Sequence, residues 1–270
     1  MNNIHSTAIV SNDAQLGNNV HIGPYAIIEG NTKIADGCHI DSHAIIRSGT
    51  TLDGNVRVDS HSVIGGPPQH LKFDNNTNSY VQVGENTIIR EHVTIHRSIE
   101  ENGKTIVGKE CFLMGSSHIG HDCILSHNCT IAQGALIGGH VEMGNHIFVG
   151  GGSGIHQFTR IGNGVMIGAI STITRDIPPH LTAAERNQLA GLNLVGLRRR
   201  NTHIDAIGDL KRLYTMLLTK SMNPAKLVDK AKEAGLGTTE IGKEFLEFFS
   251  IRNRKYCRPK KRYFPTDEES

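Results

Sequence analysis

Aliphatic residues recur every six positions along most of this 270-residue chain. The first eleven follow one another without a miss: Ile4, Val10, Leu16, Ile22, Ile28, Ile34, Ile40, Ile46, Leu52, Val58 and Ile64. A small or β-branched residue stands two positions before each later member, so each hexad offers one large and one small inward group before a polar corner. Three hexads close one triangular turn of eighteen residues, and the repeat therefore predicts an all-β, parallel β-helix of about nine coils.

The six-residue register is interrupted twice. The interruptions predict excursion loops at 65–82 and 96–106, and the repeat then runs from Val107 to Ile173. Prolines in the segment DIPPH are expected to end the strand pattern. We therefore expect the β-helix to occupy residues 1–190.

The remainder of the chain has a helical pattern. The spacing of Ile204, Ile207, Leu210, Tyr214 and Leu217 predicts an amphipathic helix, followed by helical stretches at 227–234 and 241–249. Residues 191–270 are thus expected to form a small C-terminal α-helical domain with a basic tail. The tail is either solvated or a contact for an acidic partner, and it contains Arg252, Arg254, Lys255, Arg258, Lys260, Lys261 and Arg262.

Composition agrees with a repeat filled by small aliphatic groups, because the chain has 30 glycines, 5% aromatic residues and no Trp. A net charge of +2 does not favour nucleic acid. Without an apolar run of roughly 18 residues, we expect no stable membrane insertion and a soluble, cytoplasmic protein. The cysteines lack metal-site spacing and are expected to be small core fillers: Cys38, Cys111, Cys123, Cys129 and Cys257.

Residues eighteen apart lie above one another in such a coil, and this places His121, Gly139 and Gln157 in one column. In the neighbouring column Asp122 lies below His140. A base, a carboxylate that influences it and a backbone N–H free of a side chain are the groups that acyl transfer requires. The alternative is a set of polar corner residues that align without a function.

Several segments resemble the UDP-N-acetylglucosamine O-acyltransferase family: IGGPPQHLKF, IREHVTIHR, MGSSHIGHDC, IHQFTRIGNGVMIG and GLNLVGLRRR. The resemblance implies a left-handed coil and a homotrimer. It also implies transfer of an (R)-3-hydroxyacyl chain from acyl carrier protein to the 3-hydroxyl of UDP-N-acetylglucosamine, the first step of lipid A biosynthesis. No cofactor is implied beyond the phosphopantetheine thioester of the carrier, which is a co-substrate, and no metal.

By the same resemblance His121 is the general base, Asp122 follows it, and the Gly139 N–H stabilises the oxyanion. Lys72 lies near the nucleotide and the thioester. Ala169, taken to lie inside a packed coil, sets the acyl chain length. The other implied substrate-binding residues are Gln69, His70, His96, His118, His140, Gln157, Asn193, Arg199 and Arg200.

Three departures from the family pattern leave alternatives open. His70 stands where the family usually has Asp, Arg186 and Asn187 replace a Gly-Asn pair, and Val195 replaces a Glu of some members. A 3-amino analogue of the sugar nucleotide is therefore an alternative acceptor. A protein with the same coil could also have one of three other functions: an acetyl-CoA-dependent sugar acetyltransferase, a zinc-dependent carbonic anhydrase or a scaffold without catalysis.

Overall fold

The computed structural model describes residues 1–219, 222–251 and 254–259. The described residues form the predicted parallel β-helix of hexapeptide repeats, followed by a small helical region. Short strands alternate with two-residue turns, and the strands stack into three sheets, here called faces 1, 2 and 3, which are parallel throughout the coil up to Thr172–Ile173. None of the described helices is both long and apolar enough to cross a membrane.

The strands of each face follow in chain order. Face 1 contains Asn3–Ile4, His21–Ile22, His39–Ile40, Arg57–Val58, Ile88–Ile89, Phe112–Leu113, Thr130–Ile131, Phe148–Val149, Met166–Ile167, Leu181–Ala184, Gln188–Leu192 and Arg258–Pro259. Face 2 contains Ile9–Val10, Ile27–Ile28, Ile45–Ile46, Val63–Gly66, Thr94–His96, His118–Ile119, Leu136–Ile137, Gly154–Ile155 and Thr172–Ile173. Face 3 contains Gln15–Leu16, Lys33–Ile34, Thr50–Leu52, Tyr80–Val83, Lys104–Val107, Ile124–Leu125, Glu142–Met143 and Arg160–Ile161.

The pairing register is eighteen residues wherever the hexads are uninterrupted, as between Ile22 and Ile40. The aliphatic member of each hexad points inward, and from the second coil onward these side chains are buried. Four cysteines occupy the small inward positions, and all five cysteines of the chain are buried free thiols. The prediction that they fill the core is confirmed.

The two interruptions of the register lie between strands of different faces. The first follows Val63–Gly66 on face 2 and rejoins at Tyr80–Val83 on face 3. The second leaves face 2 after Thr94–His96 and rejoins face 3 at Lys104–Val107. Both excursions therefore emerge from the same corner of the triangle, between faces 2 and 3, where the chain also places His121.

The prolines of DIPPH do not end the sheet, and that expectation was wrong. After them Leu181–Ala184 pairs with Met166–Ile167, and Gln188–Leu192 folds back antiparallel beside it. Proline cannot donate to a ladder, but here it lies in the corner before the strand, where no ladder bond is required. The boundary at residue 190 stays a prediction.

Four α-helices and one 3₁₀-helix follow among the described residues. They are α1 at Leu194–Arg199, α2 at Ile204–Leu218, a 3₁₀-helix at Pro224–Lys226, α3 at Val228–Glu233 and α4 at Glu240–Glu247. The pattern of aliphatic residues predicted α2, α3 and α4. Helix α1 was not predicted, since its six residues are too few for a periodic pattern, although the capping residue Asn193 precedes it.

Polar contacts join the helices to the end of the coil. Glu244 on α4 lies 3.1 Å from Nε2 of the buried His180 and accepts a hydrogen bond from the Asn163 amide at 2.8 Å. The buried Asp176 accepts two hydrogen bonds from the guanidinium of Arg254, at 2.6 and 2.8 Å.

Two arginines of the basic tail are therefore bound to the folded protein and are not simply solvated. Arg254 pairs with Asp176, and Arg258 donates to the carbonyls of Leu217 and Leu218 at the end of α2. Both residues fasten the tail to the fold, which corrects the view of them as cations for a partner. Arg252, Lys260, Lys261 and Arg262 lie outside the described residues.

Candidate functional site

A groove of about 700 Å³ crosses face 2 in the later coils. Its floor is formed by the outward strand residues Thr94, His118, Leu136, Gly154 and Thr172. Six residues implied by the family resemblance line it: Gln69, His96, His118, His121, Gly139 and Gln157. We call this cleft the histidine groove.

His121 and Asp122 occupy the two corner positions beside the groove. Nδ1 of His121 lies 2.8 Å from the Asp122 carboxylate, and both side chains are largely buried. A carboxylate accepts hydrogen bonds only, so this contact assigns the proton to Nδ1 and leaves the lone pair on Nε2. In this tautomer Nε2 is the ring nitrogen of His121 that is able to accept a proton.

Three donors hold the Asp122 carboxylate in place. They are His121, the hydroxyl of Ser98 and the backbone N–H of Ile99 at 3.1 Å, and the latter two belong to the second excursion loop. Burial raises the pKa of Asp122, but these hydrogen bonds and nearby His140 outweigh it, so the pKa is lowered. Asp122 therefore remains ionised and keeps the orientation of His121 fixed.

Gly139 lies one coil above His121, and its position excludes any side chain. A Cβ there would stand 2.6 Å from both Cε1 and Nε2 of His121. Glycine is therefore required for the imidazole to occupy its place. Gly139 also lines the groove, directly above His121.

Two further histidines of the groove are uncharged at neutral pH. Burial, together with the nearby His118 and His121, lowers the pKa of His96 to about 4. The pKa of His118 is also lowered, by burial and by His121, and its Nδ1 lies 2.7 Å from the Thr94 hydroxyl. Neutral imidazoles donate and accept, which suits the hydroxyl groups of a sugar.

His140 completes the corner. Its ring stacks on Phe158 at 4.6 Å and meets the His121 ring edge-on at 5.0 Å. The metal-ligating atoms of His121, Asp122 and His140 lie within 4.8 Å of one another. Since Asp122 is already occupied by three hydrogen-bond donors, the geometry favours a hydrogen-bonded base over a metal ligand set.

A second groove, of about 580 Å³, lies on face 1. We call it the arginine groove, and it is lined by His146, Phe148, Val165, Met166, Thr182, Asn193, Val195, Gly196, Arg199 and Arg200. Asn193 has a structural task here, since its side chain caps α1 at the Gly196 N–H and donates to the Gly164 carbonyl. Burial lowers the pKa of Arg200, and Arg199 is exposed.

Besides Asp122 and His140 at the corner, three of the implied residues line neither groove. His70 and Lys72 are exposed on the first excursion loop, beside Gln69. Ala169 is exposed at the corner between faces 1 and 2, which corrects the expectation that it lies inside a packed coil. It follows the buried Ile167 by two positions, as His121 follows Ile119, and this register places a residue on a corner.

The sequence reasoning missed the residues that hold the site from the excursion loops. Ser98 binds Asp122, and the Thr105 hydroxyl accepts the Asp122 N–H at 2.8 Å. Arg97 donates to two carbonyls of the first loop and lies over the Phe73 ring at 5.1 Å. No periodic signal marks Ser98 and Arg97, because loop residues lie outside the six-residue register, whereas Thr105 is the small inward residue two positions before Val107.

Comparison with known proteins agrees with this geometry. Residues 176–257 match the family described as Udp N-acetylglucosamine O-acyltransferase, domain 2, and residues 13–48 match the bacterial transferase hexapeptide. Among solved structures, LpxA from Acinetobacter baumannii is 31% identical, with a TM-score of 0.90 over 94% of this chain and 99% of that chain. The UDP-N-acetylglucosamine acyltransferase from Campylobacter jejuni is 34% identical, with a TM-score of 0.85 over 95% and 98%.

Curated sequences give the same result. An acyl-[acyl-carrier-protein]--UDP-N-acetylglucosamine O-acyltransferase of Paraburkholderia phymatum is 45% identical over 83% of this chain and 86% of its own length. A protein of the same name from Burkholderia mallei is 36% identical over 72% of this chain and 76% of its own length. The left-handed β-helix predicted from the motifs is confirmed, and the chain belongs to the UDP-N-acetylglucosamine O-acyltransferase family.

Proposed function

We propose that this protein transfers an (R)-3-hydroxyacyl chain from acyl carrier protein to the 3-hydroxyl of UDP-N-acetylglucosamine. The reaction is the first step of lipid A biosynthesis, takes place in the cytoplasm and uses the carrier thioester as co-substrate. The observation that carries the proposal is the His121–Asp122 pair at 2.8 Å beside a groove that contains the uncharged His96 and His118. Family membership supports the choice of substrates.

Proton transfer at His121 accounts for the chemistry. Nε2 takes the proton of the sugar 3-hydroxyl as that oxygen attacks the thioester carbonyl, and the ionised Asp122 stabilises the imidazolium that forms. The Gly139 N–H donates to the carbonyl oxygen as it becomes an oxyanion, an interaction worth roughly 3 kcal/mol. When the C–S bond breaks, His121 returns its proton to the departing thiolate of phosphopantetheine.

The two grooves supply different parts of one substrate. The histidine groove suits a sugar, while Arg199 and Arg200 in the arginine groove suit a diphosphate or the phosphate of phosphopantetheine. The grooves lie on different faces of one protomer, so a single copy does not present both to one ligand. A homotrimer in which face 2 of one copy meets face 1 of the next brings the grooves together.

Mixed trimers test this arrangement. His121→Ala and the double variant Arg199→Ala/Arg200→Ala are each expected to have low activity, and both carry one intact groove. Co-expressed with different tags and purified as mixed trimers, they should regain activity at about a third of their sites, since one of the three interfaces then joins two intact grooves. Sedimentation as a monomer at micromolar concentration, or no recovery in mixed trimers, would contradict the shared site.

The acceptor and the donor are tested directly. The protein is incubated with UDP-N-acetylglucosamine or its 3-amino analogue and with 3-hydroxyacyl carrier proteins or acetyl-CoA, and the products are identified by mass spectrometry. An ester on UDP-N-acetylglucosamine supports the proposal. Preference for the 3-amino analogue would assign His70 a role in acceptor choice, and activity with acetyl-CoA alone would overturn the donor assignment.

A basic pocket adjoins the upper end of the histidine groove. Thr174 lines the groove, and the next residue, Arg175, lines the pocket together with Lys255. Because acyl carrier proteins are acidic, this location suits the docking of the carrier beside the thioester site. The double variant Arg175→Glu/Lys255→Glu should raise KM for the acyl carrier several-fold and reduce its salt dependence. An unchanged KM would remove the pocket from carrier binding.

Ala169 is proposed to measure the acyl chain from its exposed corner, with a neighbouring copy providing the opposite wall. Family resemblance supports this assignment. Ala169→Gly should shift the preferred 3-hydroxyacyl chain to greater length, and Ala169→Met to shorter length. A length optimum that stays fixed in both variants would show that the chain is measured elsewhere.

A further inference from the structure

Gly154 differs from every other outward residue of the coil. In each strand the residue directly before the buried aliphatic residue points outward, and along face 2 these residues pair in register: Thr94, His118, Leu136, Gly154 and Thr172. Among the coil strands from Asn3–Ile4 to Thr172–Ile173, Gly154 is the only glycine at this position. Face 2 therefore has a dent at this one point.

The protein backbone does not require glycine there. A Cβ on Gly154 would meet no atom of the chain within 4 Å, and its φ lies outside the left-handed region. Gly139 is the contrast, since a Cβ there would strike the His121 ring. Glycine weakens a strand, so an open, unstrained strand glycine indicates a place that a ligand or a neighbouring chain approaches closely.

The surroundings of the dent are apolar on the side away from His121. Leu136, one coil below Gly154, is 55% exposed. Ile170, at the corner before Thr172, is 78% exposed and has a φ of 55°, a left-handed conformation that is unusual for a β-branched residue. Its Cδ1 lies over Gly152, 2.9 Å from where a Cβ would be.

An apolar path therefore leads from the catalytic corner across face 2. It begins beside His121, passes Leu136 and the dent at Gly154, and ends at the corner of Ala169 and Ile170. The positive φ of Ile170 recurs at the same corner in the three coils below, at Gly152, Gly134 and Ser116, so the exposed side chain and not the backbone distinguishes this residue. The chemistry of this path matches a hydrocarbon chain better than a sugar or a diphosphate, both of which require polar partners.

We propose that Gly154 is a specificity-determining residue for the acyl chain. The missing side chain leaves the space through which the methylenes next to the thioester cross face 2 towards Ala169 and Ile170. This inference rests on the acyl transfer proposed above. A side chain at residue 154 would displace methylenes from the dent, and each methylene left unburied weakens binding about fourfold.

Substitution at Gly154 tests the inference with a graded series. Gly154→Ala and Gly154→Val are assayed with 3-hydroxyacyl carriers of increasing chain length. For long chains we expect kcat/KM to fall about fourfold in Gly154→Ala and at least tenfold in Gly154→Val. For a four-carbon chain we expect less than a threefold change, and KM for the nucleotide sugar should stay constant.

A structural role for the glycine predicts different results. Since a β-branched residue suits an open strand position, Gly154→Val should keep or raise Tm. The matched control is Thr130→Val, which also places a valine at an outward strand position, on face 1. Equal losses at all chain lengths, a higher KM for the nucleotide sugar or an unchanged length profile would each overturn the inference. Wild-type protein inactive with every 3-hydroxyacyl carrier would instead refute the proposed function.

Discussion

The coil and the C-terminal helices are stabilised in different ways. In the coil, equivalent aliphatic side chains repeat at every level, and each level contacts only the levels above and below it. In the helical region a few polar groups make contacts that occur once, such as Asp209 with Gly237 and Thr239. Both regions bury apolar side chains, such as Leu213 and Phe245 in the helices, so we expect the difference to lie in the polar contacts that the helices make only once.

The largest effect on stability is expected at Asp209 on α2. Its carboxylate is buried and accepts hydrogen bonds from the Gly237 N–H and from both the N–H and the hydroxyl of Thr239. Asp209→Ala leaves these donors without an acceptor and should destabilise the helical region by about 3 kcal/mol. Hydrogen exchange should show faster exchange in α2 and α4, with the coil amides unchanged.

Asp205 on the same helix is the matched control for this change. Its side chain is 83% exposed, and Asp205→Ala should alter stability by less than about 0.5 kcal/mol.

The contribution of Asp209 depends on pH. Although burial raises the pKa of Asp209, the hydrogen bonds from Gly237 and Thr239 lower it by more. Its contribution is therefore complete above the ordinary carboxyl pKa and is lost as pH falls through the lower folded pKa. If Asp209→Ala accelerated hydrogen exchange of the coil amides as much as that of α2 and α4, the coil and the helices would not differ in how they are stabilised.

A second prediction separates chemistry from stability. His121→Ala should lower kcat at least about 10²-fold and leave binding of the nucleotide sugar and Tm nearly unchanged, because the base acts in the transition state. His61→Ala, at an exposed corner position stacked between His43 and His92, is the control and should stay within about twofold. A fall of less than threefold in His121→Ala would remove this residue from the mechanism.

The third prediction concerns the loop that holds the carboxylate. Ser98→Ala removes a hydroxyl donor that lowers the pKa of Asp122, so this pKa should rise. Asp122 would then become protonated at a higher pH, and the acid limb of the kcat profile should move to higher pH, with kcat about tenfold lower.

Ser79→Ala is the matched control for this loop. The Ser79 hydroxyl is also buried, but it donates to the Ser98 carbonyl and not to Asp122. Its removal should leave the position of the acid limb unchanged. A shift of equal size in both variants would show that loop mobility, and not the carboxylate, sets the pH profile.

The contrast between the regions also explains what the sequence could predict. A period of six marks every level of the coil, and multiples of eighteen correctly placed His121, Gly139 and Gln157 along one groove. The same register places Ala169 on a corner, so the sequence already contained the information needed to predict its exposed position correctly. The hairpin at 181–192 was missed because its strands leave the six-residue pattern.

Contacts that occur once leave no such pattern. Ser98 reaches Asp122 from a loop outside the register, and Glu244 reaches His180 across 64 residues. The family motifs include residues of both grooves, but they did not predict that the two grooves lie on different faces of the coil. Sequence therefore predicts the repeated part of the fold and which residues lie together at the His121 corner, while the loop contacts that hold this corner require three-dimensional coordinates.

The smallest predicted effect tests whether stability is evenly spread in the coil. Ile46, Ile131 and Ile155 are equivalent inward residues at different levels, each between aliphatic neighbours one coil above and below. Each Ile→Val change removes one methylene and keeps strand propensity, so each should destabilise the coil by about 1 kcal/mol. Because neighbours fixed by the ladder have little freedom to fill the space, the three values should agree closely. Urea unfolding of the three variants measures them, and values that differ by more than about 1 kcal/mol would show that the coil, like the helices, depends on particular levels.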